Sequence, residues 1–304
     1  MAIKLSIVVV TWNSWSDLKR CLESLQRMDL VEAEILVIDN GSVDDTIENL
    51  RRQFGDTVRL HINPTNLGLP AAVNIGLRLV RGDFVMLLDV DTEVEANAAA
   101  LLMAFMEEFP HAALAAPRIR TPDGHDERTA RNLPSVTSAV FGRQSLFARR
   151  FPNNPFTRRY LASAAHSNIA PYRVEQVSAA CMFMRRSTFD TVGPWDENYR
   201  CYWVDTDWCA RLKQLRAPVY CVPHARIVHY ENNRAGKKKS VWRIWHFHLG
   251  AYRLYRKHYT LGYLDPRALA AGILLIARAG VMLVLNEFKT AAGPPSNPRR
   301  AVVP

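Results

Sequence analysis

Four short apolar runs constrain this chain more than any other feature. Each ends on polar residues, and helix-like stretches lie between them. Leu5-Ser6-Ile7-Val8-Val9-Val10 ends at Thr11-Trp12-Asn13, and Glu34-Ile35-Leu36-Val37-Ile38 ends at Asp39-Asn40-Gly41-Ser42. The short run from Val58 to Ile62 ends at Asn63, and Phe84-Val85-Met86-Leu87-Leu88 ends at Asp89-Val90-Asp91. Near-continuous apolar runs rich in β-branched residues read as strands buried on both faces, as parallel sheets require. Between them, Ser16-Asp17 offers a cap to a helix with Leu18, Cys21, Leu22 and Leu25 on one face. A second helix opens at Ser42–Thr46 and runs through Leu50 and Phe54, and a third covers Pro70 to Val80 before Gly82. This alternation predicts an α/β fold with a doubly wound, mainly parallel sheet. Right-handed crossovers then gather the polar strand ends at one edge, where open α/β sheets bind ligands.

That edge collects Thr11 and Asn13, Asp39 and Ser42, Asn66 and Asn74, and Asp89 and Asp91. Carboxylates and amides suit a base and a ribose, and helix N-termini with small residues suit phosphate, so the mixture fits a mononucleotide. Asp89 and Asp91 share a face if their strand runs straight. Two carboxylates held together repel unless a cation or donors compensate, and a hard divalent ion carrying a phosphate-bearing substrate does so. A solvated turn after a strand produces the same D-x-D pattern. A purely structural role also fits Asn66, as a turn cap, and Asn74, as a tie between helix and loop, though less well than a place at the donor. Neither the Rossmann G-x-G-x-x-G nor the P-loop G-x-x-x-x-G-K-[ST] occurs, which argues against a dinucleotide oxidoreductase and a P-loop NTPase.

Four segments in order carry a family likeness. They are Val8-Val9-Val10-Thr11-Trp12-Asn13; the run from Val37 to Thr46 containing Asp39-Asn40-Gly41-Ser42-Val43-Asp44-Asp45; Asn66-Leu67-Gly68 with Ala71, Asn74 and Gly76; and Leu88-Asp89-Val90-Asp91. Together they resemble glycosyltransferase family 2, over roughly residues 3–235. The resemblance implies the GT-A fold and an inverting, metal-dependent transfer from a nucleotide-diphosphate sugar. By position it implies that Thr11 and Asn13 lie at the nucleotide, Asp39 at the base, and Ser42 and Asp44 near base or ribose. Asn66, Gly68 and Asn74 then close the donor pocket, and Asp89 contacts ribose or supports the metal. Asp91 ligates Mg²⁺ or Mn²⁺.

Further along, residues 93–109 read as an Ala-rich helix, Ala113 to Pro117 as a short strand and Val177 to Arg186 as another strand. Residues 120–175, with Arg149-Arg150 and Arg158-Arg159, read as a variable acceptor region or as a solvated basic insertion. Gly193-Pro194-Trp195-Asp196-Glu197 and Trp203-Val204-Asp205-Thr206-Asp207-Trp208 resemble the family's G-x-F-D-E and E-D-x-D-L motifs, with Trp195 for Phe and Val204 for the first acid. The family often has a Gly near Ala179. By this alignment Asp205 is the catalytic base, while Trp195, Asp196, Glu197 and Asp207 belong to the acceptor side. Asp207 also fits a helix cap, and it remains the second candidate for the base. His229, at the end of the run from Val219, aligns with a further metal or diphosphate contact, although a lone strand-end His is often structural. His224 is a weaker candidate. The basic run from Arg234 to Lys239 either clamps the diphosphate or is solvated.

The net charge of +10 implies an anionic partner. Five cysteines without C-x-x-C spacing read as free thiols of a reducing cytosol, and Met1-Ala2-Ile3-Lys4 shows no secretion-signal pattern. Val241 to Tyr263 mixes aromatic and basic residues, and Ala268 to Leu285 is apolar apart from Arg278. A membrane interface suits both stretches, though a buried helix gives the second pattern too. The expected layout is a glycosyltransferase domain at 1–235, with a donor half at 1–117 and an acceptor and catalytic half at 118–235. A membrane-associating helical appendage at 236–292 and a disordered tail at 293–304 follow. The chain as a whole resembles rhamnosyltransferases of polysaccharide assembly, which implies a deoxythymidine-diphosphate rhamnose donor. A polyprenyl-diphosphate-linked glycan or polysaccharide acceptor fits the basic charge and the tail. The enzyme is then cytoplasmic, peripheral to the inner face of the cell membrane, with no nucleic-acid partner. The alternative is an inactive basic membrane- or nucleic-acid-binding scaffold on the same fold, for which Val204 leaves room.

Overall fold

The computed structural model describes residues 3–28, 32–135, 160, 170–230, 238–262 and 264–288. Arg149, Arg150, Arg158, Arg159, Arg234 and the tail at 293–304 lie outside the described residues. Strands β1 (Leu5–Thr11), β2 (Ala33–Asp39), β3 (Arg59–Ile62) and β4 (Phe84–Asp89) form the parallel half of one sheet. Between them run α1 (Trp15–Gln26), α2 (Thr46–Phe54) and α3 (Leu69–Leu79). The register aligns Thr11 with Asp39, and Val10 with Asp89. The polar ends of three strands therefore stand side by side at one edge.

The second half extends the sheet in mixed directions. Beyond β4 it continues through β8 (Cys181–Arg185), β6 (Leu114–Arg120), β9 (Val219–His229) and β5 (Thr92–Val94), with β7 (Tyr172–Val174) paired to β9. Strand β8 runs antiparallel to β4 and β6, whereas β6 and β9 are parallel. The β6–β9 register slips between Pro117 and Arg118, opposite Pro223, which has no N–H to give the ladder. Residues 92–94 form a strand rather than the start of a helix. Thr92 and Val94 are β-branched and buried, and they pair with His229 and Ile227. The helix α4 begins only at Ala98 and ends at Glu108.

Alternate strand residues face opposite layers, as a two-sided core demands. Ile7 and Val9 pack with Leu18, Leu22, Leu50 and Phe105 of α1, α2 and α4. Val8, by contrast, packs with Val73 and Leu77 of α3 and with Trp195, Trp208 and Leu212 on the other face. Trp208 and Leu212 belong to α6 (Val204–Gln214), which follows α5 (Arg186–Val192). Two long helices complete the described chain, α7 (Val241–Tyr259) and α8 (Pro266–Glu287), each started by a side-chain cap, Ser240 and Asp265. Leu254 of α7 is buried in the second core layer.

α8 is long and apolar enough to cross a membrane by length and composition. It is not a core helix: Leu269, Ile273, Leu274, Ile276, Val281 and Val284 are exposed. Arg278 turns away from this face. Its guanidinium reaches His248 Nε2 at 3.5 Å and lies over the Phe247 ring, both on α7.

Candidate active site

The loop after β1 and the loop after β2 are sewn together. Asn13, at φ 48, takes the Val43 amide on its Oδ1 at 2.9 Å, and its own amide donates to Ser42 Oγ at 2.8 Å. Thr11 and Ser14 share a hydroxyl hydrogen bond of 2.8 Å. Asp39 Oδ2 accepts the amides of Gly41 and Ser42, at 3.1 and 2.8 Å. Its Oδ1, also buried, meets no donor among the described residues. Gly41 stands at φ 77, and a Cβ there would lie 2.6 Å from the Thr65 carbonyl carbon, so only glycine lets the third loop approach. Asp44 caps the Thr46 amide at 3.0 Å.

Asn40 is the knot of this edge, although no local sequence pattern marks it for that role. Its Oδ1 accepts from Asn63 Nδ2 and the Leu67 amide, and its Nδ2 donates to Asn66 Oδ1 and the Gly68 carbonyl. Asn66 also accepts from the Gly68 amide. Asn66 and Gly68 thus shape the loop wall that faces the strand ends.

Asp89, Asp91 and His229 come together, each offering a ligand atom within 4.8 Å of the others. The turn carrying them is braced by the backbone. Thr92 Oγ1 donates to the Asp89 carbonyl at 2.6 Å, and the Tyr230 amide donates to the Asp91 carbonyl at 2.7 Å. His229 Nε2 lies 3.3 Å from Asp91, and its Nδ1 lies 3.2 Å from both oxygens of Glu127. Burial opposes the charged ring, but Asp91 and Glu127, with Asp89 beyond, push its pKa up to about 11. Two carboxylates and an imidazole, the imidazole backed by a third carboxylate, form a donor set that fits a divalent cation. Glu127 would fix the ring so that Nε2 points to the ion. Glu127 lies in a stretch without clear periodicity, where no sequence signal marks it.

Asp205 lies close to this cluster through two alanines. The Asp89 amide donates to the Ala180 carbonyl at 3.1 Å, and Asp205 Oδ2 accepts from the Ala179 amide at 3.4 Å. Asp205 Oδ1 accepts from the Thr206 amide at 2.7 Å and from its hydroxyl. Gln176 Nε2 fixes that hydroxyl at 2.7 Å. Burial raises the Asp205 pKa, against the Arg131 charge and the Thr206 and Ala179 donors. A half-buried carboxylate with a raised pKa is what a general base needs.

Three of the expected substrate contacts are corrected by burial. Asn74 is fully buried and saturated. Its Oδ1 takes the Trp195 amide, and its Nδ2 donates to the Trp195 carbonyl and to Glu197, all at 2.8–2.9 Å. It ties α3 to the 195 loop, and both of its amide hydrogens are spent there. Trp195 fills the core and presents no surface to an acceptor. Asp207 is fully buried and faces away from Asp205, toward Lys257 Nζ at 2.9 Å, His258 Nε2 at 2.8 Å and Arg211 Nε at 3.3 Å. Asp196 and Glu197 remain at the surface, Asp196 paired with Lys257 at 2.9 Å.

Asp207 therefore anchors α7. Burial alone would raise its pKa, but His258, Lys257 and Arg211 hold it below the usual carboxylate value. A carboxylate held low in the folded state contributes stability above its unfolded pKa of about 4, and loses it as pH falls through the lowered value. Asp207→Asn is expected to cost about 3 kcal/mol at pH 7, since it leaves two cations facing an uncharged group. The loss should shrink toward pH 3, and thermal unfolding at both pH values checks it.

Comparison with known proteins bears on the family and the fold. The sequence profile described as glycosyl transferase family 2 matches residues 6–193. An N-acetylglucosaminyl-diphospho-decaprenol L-rhamnosyltransferase of Mycobacterium tuberculosis is 29% identical over 244 residues, covering 77% of this chain and 78% of that protein. A PGL/p-HBAD biosynthesis glycosyltransferase of Mycobacterium bovis is 23% identical over 235 residues, covering 76% and 77%. Among solved structures, the mannosyltransferase PcManGT of Pyrobaculum calidifontis, in complex with GDP-Man and Mn²⁺, superposes with a TM-score of 0.59 at 16% identity, covering 93% and 79%. GalNAc-T7 with UDP, GalNAc and Mn²⁺ gives 0.62 at 19%, and there the chain spans 83% of itself but 47% of that chain. These likenesses carry the fold.

Proposed function

This chain belongs to glycosyltransferase family 2, and from that premise we propose that it moves a sugar from a nucleotide diphosphate to a lipid-linked acceptor with inversion. The observation that carries the reading is the cluster of Asp89, Asp91 and His229, which backbone hydrogen bonds through Ala180 and Ala179 connect to Asp205. Asp39 Oδ1, which lacks a donor among the described residues, accepts from a base N–H, while Ser42 and Asp44 lie toward the ribose. Asp91 and His229, with Asp89 beside them, would hold Mg²⁺ or Mn²⁺, which would offset the charge of the leaving diphosphate. Asp205 takes the proton of the attacking hydroxyl.

The mycobacterial relative supports a rhamnosyl donor, and its name supports an N-acetylglucosaminyl-diphospho-polyprenol as acceptor class. The exposed apolar face of α8 supports a place at the inner face of the cell membrane. Helix α7 also carries Arg243, Arg253 and Arg256 with no acidic residue, a balance that suits anionic lipid.

A thermal-shift screen of nucleoside diphosphates and their sugars, with and without Mn²⁺, tests the donor reading. A ligand at a hundred times its Kd stabilises the folded state by about 2.7 kcal/mol. One nucleotide, with thymidine diphosphate the first candidate, should raise Tm by several degrees only with metal. No shift from any of them in folded protein overturns the reading in favour of the scaffold.

A further inference from the structure

Helix α6, which carries Asp205, begins on a residue in an uncommon conformation. Trp203 caps it at φ 74 and ψ −2, a left-handed geometry that a bulky side chain keeps only when its surroundings impose it. Its carbonyl accepts the Asp207 amide at 2.8 Å, which closes the first turn around Asp205.

The surroundings are supplied by α7. Trp203 Nε1 donates to the Phe247 carbonyl at 2.8 Å, and the two rings lie 5.0 Å apart between centroids. Tyr202 meets the same Phe247 ring edge-on. Gly250, one turn along, lets the indole lie against the helix backbone. A Cβ there would stand 2.9 Å from Trp203 Cδ1 and 3.1 Å from the Tyr202 carbonyl oxygen. Glycine in the interior of a 19-residue helix is unfavourable on its own account, so this close approach is the reason for it. Farther along, Lys257 and His258 seize Asp207. α7 thus holds the residues two positions before and two positions after Asp205.

We propose that Trp203 is a positioning residue that aims Asp205, and that the Phe247–Gly250 stretch of α7 is the seat that keeps it in its left-handed turn. The inference rests on Asp205 as the base of the proposed transfer. It makes the rate of proton removal, and not the binding of nucleotide, depend on a helix that follows the last strand of the sheet.

The test is Gly250→Ala in the full chain. Alanine favours the helix over glycine, so the substitution bears on the indole more than on α7. With the nucleotide sugar identified by thermal shift and an N-acetylglucosaminyl-diphospho-polyprenol acceptor, kcat should fall at least tenfold. The KM for the nucleotide sugar, and the Tm rise given by thymidine diphosphate with Mn²⁺, should stay within twofold of wild type. Trp203→Gly is the second arm: it accepts φ 74 but removes the ring, and should show the same split. A kcat within twofold of wild type in either folded variant overturns the proposal, as does a loss of nucleotide affinity matching the loss of kcat. Asp205→Asn in the same assay separates the two readings. If it is inactive while Gly250→Ala is fully active, only the positioning role fails. If it turns over normally, the base assignment fails as well.

Discussion

Asp91→Ala is expected to abolish the metal-dependent rise in Tm given by nucleotide and to lower turnover on the order of 10³-fold. The carboxylate faces His229 at 3.3 Å and shares its turn with Asp89. Without it, two ligand groups remain, and the diphosphate loses the cation that offsets its charge. The variant should fold, because the turn is held by the Thr92 hydroxyl and the Tyr230 amide, and both bind backbone carbonyls rather than the Asp91 side chain. Loss of the imidazolium–carboxylate contact also lowers the His229 pKa from its value of about 11, since Asp91 is the larger of its two raising partners. Calorimetric titration with Mn²⁺ and nucleotide checks the first effect. Unaltered metal-dependent binding in Asp91→Ala would falsify the assignment.

Asp205→Asn separates chemistry from binding. It keeps the size and most hydrogen bonds of the side chain, yet offers no basic oxygen. Removal of a general base lowers kcat by roughly 10²–10⁴-fold, while nucleotide affinity should be retained. The pH profile adds a second readout. Burial raises the Asp205 pKa, so wild-type activity should fall on the acid side at a higher pH than an exposed aspartate would give. The residual activity of the Asn variant should lack that limb. A variant that keeps normal turnover, or keeps the wild-type acid limb, removes Asp205 from the mechanism.

Much of the fold is legible because buried parallel strands announce themselves by apolar runs. The residues that end those runs, Thr11, Asp39 and Asp89, stand at one edge of the sheet, Thr11 opposite Asp39 and Asp89 opposite Val10. The short strand at 92–94 escapes such a reading, because its partner is His229, more than a hundred residues away. The site is legible where chemistry and position coincide, at Asp89, Asp91 and His229. It is illegible where burial decides the role. Asn74, Trp195 and Asp207 have side chains that suit a substrate, and only their neighbours in space show that each is spent on the protein itself. Glu127 and Asn40 show the converse: their partners come from other segments, so no local pattern distinguishes them.

The seat of Trp203 on α7 bears on how such chains exchange parts. An arm with an exposed apolar outer face looks like a piece that could be traded between relatives to redirect an enzyme to another surface. Here the graft would carry the other half of an indole pocket and the counter-charges of a buried carboxylate. A foreign arm with any side chain at position 250, or without the hydrogen-bonding partners of Asp207 at 257 and 258, would arrive mismatched to the host. Exchange of tails therefore has to bring along residues 202–207, and the practical unit of inheritance joins Asp205 to the arm across the intervening sequence.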